Sequence, residues 1–157
     1  MISVWRIGTD TPDYTADDLT GTGAKIGGGR WNRAGTPMLY CASSIALASL
    51  ETLVHLNLAA LPMNRYLVRI DIPDDVWARA ERLTVDTAAV GWDAVPHGRV
   101  SLDIGQGWTA AGRSALLLVP SVLVPEEHNI LVNPLHLDAG AIAAVKVRRW
   151  LYDPRLG

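Results

Sequence analysis

The sequence is short of cysteine, of long apolar runs and of segments that direct a chain to a membrane. Cys41 is the single cysteine, so no disulfide can form within the chain. No stretch approaches the roughly 20 apolar residues that a membrane-spanning helix needs. Residues 1–12 lack the basic region and the apolar run of a signal peptide. We therefore expect a cytoplasmic protein without a membrane segment.

An excess of either charge is also missing. Lys and Arg number 14 and Asp and Glu 16, which gives a formal net charge of −2. A dedicated nucleic-acid binder usually carries a basic stripe. The densest basic cluster is Lys146, Arg148 and Arg149, and strand alternation would divide it between two faces. We therefore expect no direct binding of nucleic acid, and the absence of a His and Lys cluster disfavours a ribonuclease.

Phenylalanine is absent, whereas six Trp and four Tyr are present. Trp and Tyr carry a polar group that Phe lacks, so they suit the walls of a wet pocket as well as a core. Hydrophobic residues make up 49% of the chain, enough for a packed interior, and a length of 157 residues suits one core. We expect a single domain over residues 1–157.

The patterns along the chain predict an α+β fold with mixed, mainly antiparallel strands flanked by helices. Apolar alternation and short apolar runs predict strands at 2–7, 37–42, 65–73, 114–125, 129–134 and 143–153. Helical spacing predicts helices at 44–58, 75–83 and 101–112. Residues 8–37 have little periodicity and indicate a long loop with one helical turn near 16–19, while 84–100 stay unassigned. Pro120 should bend its strand or place it at the edge of a sheet, because proline cannot donate to a ladder.

The segment "GGGRWN" at 27–32 places an arginine directly after three glycines. It fits neither the Walker phosphate loop nor the dinucleotide fingerprint, which should follow a strand and open a helix. A flexible loop is the simple explanation. The alternative is that the glycines let the backbone approach a ligand while the guanidinium fork of Arg30 binds phosphate.

Glu51 lies within a predicted helix on a largely apolar stripe, with His55 one turn further on. A carboxylate in such a place is costly unless it is paired or lies at a cleft. A surface Glu–His pair and a carboxylate at a pocket edge are both open. A metal site is not predicted, because His97, His128 and His136 are scattered along the chain.

"VPSVLVPEEHN" contains a serine that follows a proline inside an apolar run. Ser121 either bonds to the backbone or faces a site, and no Gly-x-Ser-x-Gly elbow marks it as a nucleophile. Asn129 and Asn133 can simply close turns. Cys41 has no local motif around it and is interpreted as a plain, partly buried thiol.

These segments together resemble the RES domain family, named for an arginine, a glutamate and a serine. The matching stretches are "GGRWNRAGTPMLYCASSIALASLETLVHL", "VPSVLVPEEHNILVNPLH" and "YDPRL". By this resemblance the name-giving residues are Arg30, Glu51 and Ser121, and Tyr40 is the pocket tyrosine. Tyr152 stands where the family usually has Phe, and residues 77–110 match only loosely.

The resemblance implies a fold similar to that of the ADP-ribosyltransferase toxins. RES proteins are usually toxins of bacterial type II toxin–antitoxin pairs, held by an Xre-like helix-turn-helix antitoxin, which we expect to cover the active site. Characterised members degrade NAD, by phosphorolysis to nicotinamide and ADP-ribose-1″-phosphate or by hydrolysis. At least one kind instead ADP-ribosylates a metabolic enzyme, which is the alternative here. NAD is then a substrate, inorganic phosphate a candidate co-substrate, and no cofactor is expected.

The resemblance also suggests roles for individual residues. Arg30 would bind the phosphates of NAD, and Tyr40 would stack on the nicotinamide or its ribose. Glu51 would stabilise the positive charge that develops on the ribose as nicotinamide leaves. Ser121 would position a phosphate or a ribose hydroxyl, and Asn129 is a further candidate for substrate binding.

Three points stay open at this stage. Arg6 either adds charge to the phosphate site or forms a surface salt bridge, and Trp31 is expected to bury its ring and lock the turn. The acceptor of the ADP-ribosyl group is not revealed, and a nucleotide-binding module without turnover is a further alternative. No residue pattern supports or excludes a homodimer.

Overall fold

In the part of the chain that the structure describes, one mixed β-sheet is combined with four α-helices. The computed structural model describes residues 1–56 and 61–156. The elements in chain order are β1 (Ile2–Thr9), α1 (Thr22–Gly27), β2 (Leu39–Ala42), α2 (Ile45–Leu53), β3 (Arg65–Ile72), α3 (Asp74–Ala78), β4 (Glu81–Arg82), α4 (Arg99–Ala111), β5 (Leu116–Pro120), β6 (His128–Val132) and β7 (Ala143–Arg149). Short 3-10 turns occupy Leu137–Ala141 and Pro154–Leu156. The α+β prediction is confirmed.

The strand order of the sheet is β4-β5-β6-β2-β1-β3-β7. Every neighbouring pair is antiparallel except β4 and β5. β1 pairs with β3 along its whole length, whereas β1 and β2 share one register pair, Trp5 with Ala42. The two central strands therefore diverge beyond that pair, and the sheet has an opening at its middle.

Helix α2 follows β2 directly and carries Glu51 over this opening. The Ser44 hydroxyl caps the helix by accepting the N–H of Leu47 at 3.1 Å, as the capping pattern predicts. The helix ends at Leu53, earlier than the predicted end at Leu58. Val54 and His55 form a turn instead, and Leu58 lies outside the described residues.

Two other helix predictions need correction. The helical turn expected near 16–19 is only a turn, and the helix of this loop is α1, six residues further on. The helix expected at 75–83 ends at Ala78, because Glu81 and Arg82 pair with β5. In the second segment, strand pairing thus overrides local helix propensity. The predicted strands are present, but those expected at 114–125 and 143–153 end at Pro120 and Arg149, and β4 was not predicted. Pro120 ends a strand that lies between β4 and β6, so it is not in an edge strand. The helix expected at 101–112 is α4, which Gly112 caps with φ 63°.

Apolar residues pack on both faces of the sheet. On one face, α2 and the C-terminal segment cover the strands through Ile7, Ala42, Leu47, Leu67 and Tyr152. Two further buried clusters lie around Val4, Val68, Ile70, Leu116 and Ile130, and around Trp31, Met38, Trp92, Trp108 and Leu131. Within the described ranges, no helix combines the length and the apolar character needed to cross a membrane.

Candidate active site

A cavity of about 520 Å³ lies where β1 and β2 diverge. Its walls come from these two strands, from α2 and from the loop that carries "GGGRW". Five of the six site residues predicted from the sequence line it: Arg6, Arg30, Tyr40, Glu51 and Asn129. The fold thus brings together side chains that are up to 123 positions apart in the sequence.

Glu51 is held from two sides by hydrogen-bond donors. The side-chain amide of Asn129 donates to Oε1 at 2.5 Å, and the Ser121 hydroxyl is 3.5 Å from Oε2. Burial raises the pKa of Glu51, and these two hydrogen bonds oppose that shift without cancelling it. The same Asn129 amide also donates to the carbonyl of Cys41 at 3.3 Å, which ties the carboxylate to β2.

Ser121 lies behind Glu51 and is not among the residues that line the cavity. Its side chain is fully buried. Its hydroxyl oxygen accepts the N–H groups of Leu123 and Val124, both at 3.2 Å, and its proton is directed to Glu51. Of the two predicted alternatives, the bond to the backbone is confirmed, whereas the hydroxyl contacts the site only through Glu51 and does not itself face the cavity. In this geometry Ser121 orients a carboxylate.

Arg30 follows a turn that needs glycine. Gly28 has φ 71°, a backbone conformation that other residues rarely adopt. One terminal nitrogen of Arg30 donates to the carbonyls of Trp92 at 3.1 Å and Ala94 at 2.8 Å. Burial lowers the pKa of the guanidinium, although nearby Asp93 opposes the shift. Arg30 therefore lines the cavity while fastening the loop before α4.

Trp31, next in the chain, is buried and stacks on Trp92 with ring centroids 6.3 Å apart. This confirms that its ring locks the turn. Helix α4 packs against the Trp31 backbone so closely that a Cβ on Gly105 would lie 1.7 Å from the Trp31 carbonyl oxygen. The position of Arg30 is thereby coupled to α4.

The Tyr40 hydroxyl is part of a network that fixes the same turn. It donates to Oδ1 of Asn32 at 2.6 Å and accepts the N–H of Trp31 at 3.0 Å. Asn32 is fully buried, and its amide nitrogen donates to the carbonyls of Ala24 and Thr36 at 2.9 Å. Burial raises the pKa of Tyr40. The hydroxyl stays protonated, and the ring remains available at the cavity wall.

Among the residues that the structure describes, Arg6 has no salt-bridge partner, which disfavours the surface salt bridge that was one of its two alternatives. A terminal nitrogen donates to the carbonyl of Tyr40 at 3.3 Å, so the side chain reaches from β1 toward β2. Arg65, at the start of β3, is a further cationic residue of the cavity, and its terminal nitrogen donates to the hydroxyl of Thr9.

Cys41 and His55 also line the cavity, but within the described residues neither has a hydrogen bond to Glu51. Cys41 is buried at the cavity wall, and burial raises the pKa of its thiol to about 12, which disfavours the thiolate that a nucleophile needs. His55 is exposed at the cavity rim. Across residues 1–56 and 61–156, no three His, Cys, Asp or Glu side chains are grouped to hold a metal ion.

Sequence reasoning missed Asn32 and Arg65. Asn32 lies in the segment quoted for Arg30. An asparagine after a tryptophan does not indicate that its side chain will form hydrogen bonds with Ala24, Thr36 and Tyr40. Arg65 opens a clearly alternating strand, and its placement beside Thr9 depends on the β1–β3 register. That register is visible only in the folded chain.

The fold and the site define a small α+β domain with a polar cavity that holds a half-buried carboxylate beside arginines. This arrangement is typical of a protein that binds and converts an anionic ligand. The chain matches the family model described as RES domain over residues 3–154. It belongs to the RES domain family.

Curated relatives cover nearly the whole chain. A protein of Sphingobium sp. (strain YBL2) named "Prs ADP-ribosylating toxin" is 61% identical over 154 residues, which cover 98% of this chain and 96% of the relative. A "Toxin Res" of Yersinia enterocolitica is 38% identical, with 91% and 93% covered. A "Toxin Res" of Pseudomonas putida is 35% identical, with 98% of each chain covered.

Proposed function

We propose that this chain is a toxin, acting as one RES domain, that cleaves the bond between nicotinamide and ribose in NAD. The observation that carries the proposal is Glu51, a carboxylate held by Asn129 and Ser121 at the wall of a cavity that also contains arginines. Relatives that match along nearly the full length are named as toxins, and one is named as ADP-ribosylating. NAD is the ADP-ribosyl donor that such a reaction consumes.

The cavity offers a complementary group for each part of NAD. The arginines suit the two negative charges of the pyrophosphate, because a guanidinium fork matches phosphate oxygens. The Tyr40 ring lies at the cavity wall and suits stacking on the nicotinamide or its ribose, as aromatic faces do. A volume of about 520 Å³ lies within the range of small-molecule sites.

Glu51 supplies the charge that bond cleavage needs. As the bond from C1′ of the ribose to the pyridinium nitrogen breaks, its electron pair goes to nicotinamide, which leaves neutral. Positive charge then develops on the ribose, and a fixed carboxylate in a partly dry site stabilises it. No proton has to be donated to the leaving group. Asn129 and Ser121 hold the carboxylate in place, so little reorganisation is required during the reaction.

The acceptor of ADP-ribose separates two candidate functions. Transfer to a protein is favoured by the relative that is 61% identical and named as ADP-ribosylating Prs, so Prs is the first acceptor to offer. Degradation of NAD, with phosphate or water as acceptor, is the second candidate. It is favoured by arginines that line the cavity without an acidic partner among the described residues and can hold inorganic phosphate.

We also propose that an Xre-like helix-turn-helix antitoxin holds the enzyme silent by covering the cavity. The names of the relatives support a toxin that its host must control. Co-expression with the protein encoded beside it should restore growth and abolish nicotinamide release. Continued release by a purified complex of the two would contradict this proposal.

The decisive experiment follows nicotinamide release from NAD by the purified chain. Reactions contain no addition, inorganic phosphate, or Prs protein, and products are separated by chromatography and read by phosphorus NMR and protein mass. Modified Prs identifies protein transfer, a phosphorylated ADP-ribose identifies phosphorolysis, and free ADP-ribose identifies hydrolysis. No nicotinamide under any condition would refute NAD cleavage.

Matched variants tie the result to the site. Glu51→Gln keeps the size and the hydrogen bond from Asn129 but loses the charge, and should lower the rate by about 10²-fold to 10³-fold. Glu126→Gln is the control, since Glu126 is an exposed carboxylate of the neighbouring turn that does not line the cavity. Equal loss in both variants would show that Glu51 has no special role.

A further inference from the structure

Three arginines line the cavity, and they differ from Arg69 and Arg79 in lacking an ion pair among the described residues. Arg69 and Arg79 form ion pairs with aspartates on the surface. In the described part of the chain, none of Arg6, Arg30 and Arg65 has a carboxylate within ion-pair distance. The cavity therefore holds three arginines against two lining carboxylates, Asp18 and Glu51, and this excess of positive charge favours an anionic ligand.

The three guanidinium groups are engaged to different degrees. Arg30 and Arg6 donate to backbone carbonyls, which the fold holds in place. The partner of Arg65 is instead the side-chain hydroxyl of Thr9, which can rotate. Arg65 is therefore the cavity arginine whose protein contact is most easily shared with a ligand.

The backbone of Arg65 is nevertheless well fixed. Arg65 and Thr9 are directly opposite each other at the ends of β3 and β1. The carbonyl of Arg65 accepts the N–H of Trp150 at 2.9 Å, which ties the start of β3 to the segment after β7. Rigid strand ends thus carry two side chains whose polar atoms converge on the cavity.

In the described ranges, Arg65 and Thr9 each keep a hydrogen-bond donor that no protein group uses. For Arg65 this donor is Nε, one of the four buried side-chain polar atoms without a partner among the described residues. The Nε atom of Arg6 is another of the four. A buried donor left unpaired costs about 1–3 kcal/mol. The Thr9 oxygen accepts from Arg65, so its own proton remains to be donated, and Thr9 also lines the cavity.

We propose that Arg65 and the Thr9 hydroxyl together bind a phosphate group inside the cavity. A small rotation of the guanidinium lets it donate to one phosphate oxygen while the Thr9 proton is donated to another. Arg65 and Thr9 are then positioning residues for the phosphate, apart from the Glu51 cluster. Arg30, fastened to the carbonyls of Trp92 and Ala94, contributes from the other side of the cavity.

Two sources can supply this phosphate, a phosphate of the NAD pyrophosphate or free inorganic phosphate. Naming the first source rests on the proposed function, whereas the phosphate site itself does not. Calorimetric titrations with inorganic phosphate and with ADP-ribose separate the two sources. The proteins compared are the wild type, Arg65→Gln, Arg65→Lys, Thr9→Val and, as a control, Arg149→Gln, an exposed arginine outside the cavity.

We expect Arg65→Gln to weaken binding of at least one ligand by tenfold or more. Arg65→Lys keeps the charge but loses the fork, so it should weaken binding less, and Thr9→Val should also weaken it. Arg149→Gln should bind as the wild type does. Weakening confined to inorganic phosphate assigns the site to free phosphate, and weakening confined to ADP-ribose assigns it to the NAD pyrophosphate. Weakening of both assigns one shared position.

The proposal is overturned if Arg65→Gln, Arg65→Lys and Thr9→Val bind both ligands as the wild type does, or if the wild type binds neither. Thermal melts accompany each titration, and should Arg65→Gln unfold, Arg65→Lys and Thr9→Val decide the result. Nicotinamide release is measured separately. Wild-type protein that binds phosphate through Arg65 but releases no nicotinamide would refute NAD cleavage and leave the phosphate site intact.

Discussion

Gly105 offers a sharp test of how helix α4 fixes the turn that carries Arg30. It lies in α4, and a Cβ at this position would be 1.7 Å from the carbonyl oxygen of Trp31. Gly107 lies in the same helix, and a Cβ there would meet nothing within 4 Å. The two glycines therefore give a matched pair of substitutions to alanine with opposite expected signs.

The magnitudes follow from the two environments. Real Cβ contacts essentially never fall below 3.0 Å, so Gly105→Ala must separate α4 from the turn at Trp31 by more than about 1.3 Å. Overpacking of this kind costs about 3 kcal/mol, which lowers the melting temperature of a domain of this size by roughly 6–12 °C. Gly107→Ala should instead gain about 0.5–1 kcal/mol through helix propensity.

The assay pairs thermal and urea denaturation with nicotinamide release. Since Trp31 follows Arg30, the displaced turn should also misplace the guanidinium, and Gly105→Ala should lose activity at temperatures where it is still folded. Gly107→Ala should keep full activity. A Gly105→Ala protein that melts within about 2 °C of the wild type would refute the close packing described for this contact.

Three further predictions concern the site itself. Tyr40→Phe keeps the ring but leaves the Asn32 oxygen and the Trp31 N–H unpaired, which should cost about 2–4 kcal/mol in urea denaturation; an unchanged midpoint would contradict the network. Glu51→Gln should stabilise the protein at pH 7 by about 0.5–2 kcal/mol in the same assay. Burial raises the pKa of Glu51 in the folded state, so ionisation of Glu51 opposes folding as the pH rises through that pKa. The stability gained by Glu51→Gln should therefore vanish below the ordinary pKa of 4.5. A stability gain that is independent of pH would contradict this cause. Ser121→Ala removes a hydrogen bond that lowers the pKa of Glu51, so the acidic limb of the rate profile should move to higher pH, and an unmoved limb would confine Ser121 to its turn.

Much of the fold could be predicted because its signals are local. The Ser44 cap, the Gly112 terminus of α4 and the alternation at 65–73 each depend on residues that are neighbours in the chain. The end of α2 and the helix at Thr22–Gly27 could not be predicted in this way. Both depend on contacts with residues outside the helix itself. Helix α1, for example, has no side-chain cap, and the side-chain amide of Asn32 donates a hydrogen bond to the carbonyl of its residue Ala24.

The candidate site shows the same division. The resemblance to a family pointed to Arg30, Tyr40, Glu51 and Ser121. The fold places the first three on one cavity, whereas Ser121 contacts Glu51 without lining the cavity. Their catalytic roles stay predictions until variants are measured. What the sequence could not show is which atoms are already engaged, such as the Arg30 nitrogen that fastens a loop and the Tyr40 hydroxyl that fastens a turn.

The single register pair between β1 and β2 has a mechanical consequence. It divides the sheet into two leaves, β4-β5-β6-β2 and β1-β3-β7, that meet at Trp5 and Ala42. Helix α2 braces both leaves, because its buried residues pack with Ile7 and Leu67 on one side and with Ala42 on the other. The width of the cavity therefore depends on the angle between the two leaves, which meet at the Trp5–Ala42 pair. Residues far from the ligand can change this angle, and with it the width, without changing any side chain that lines the cavity.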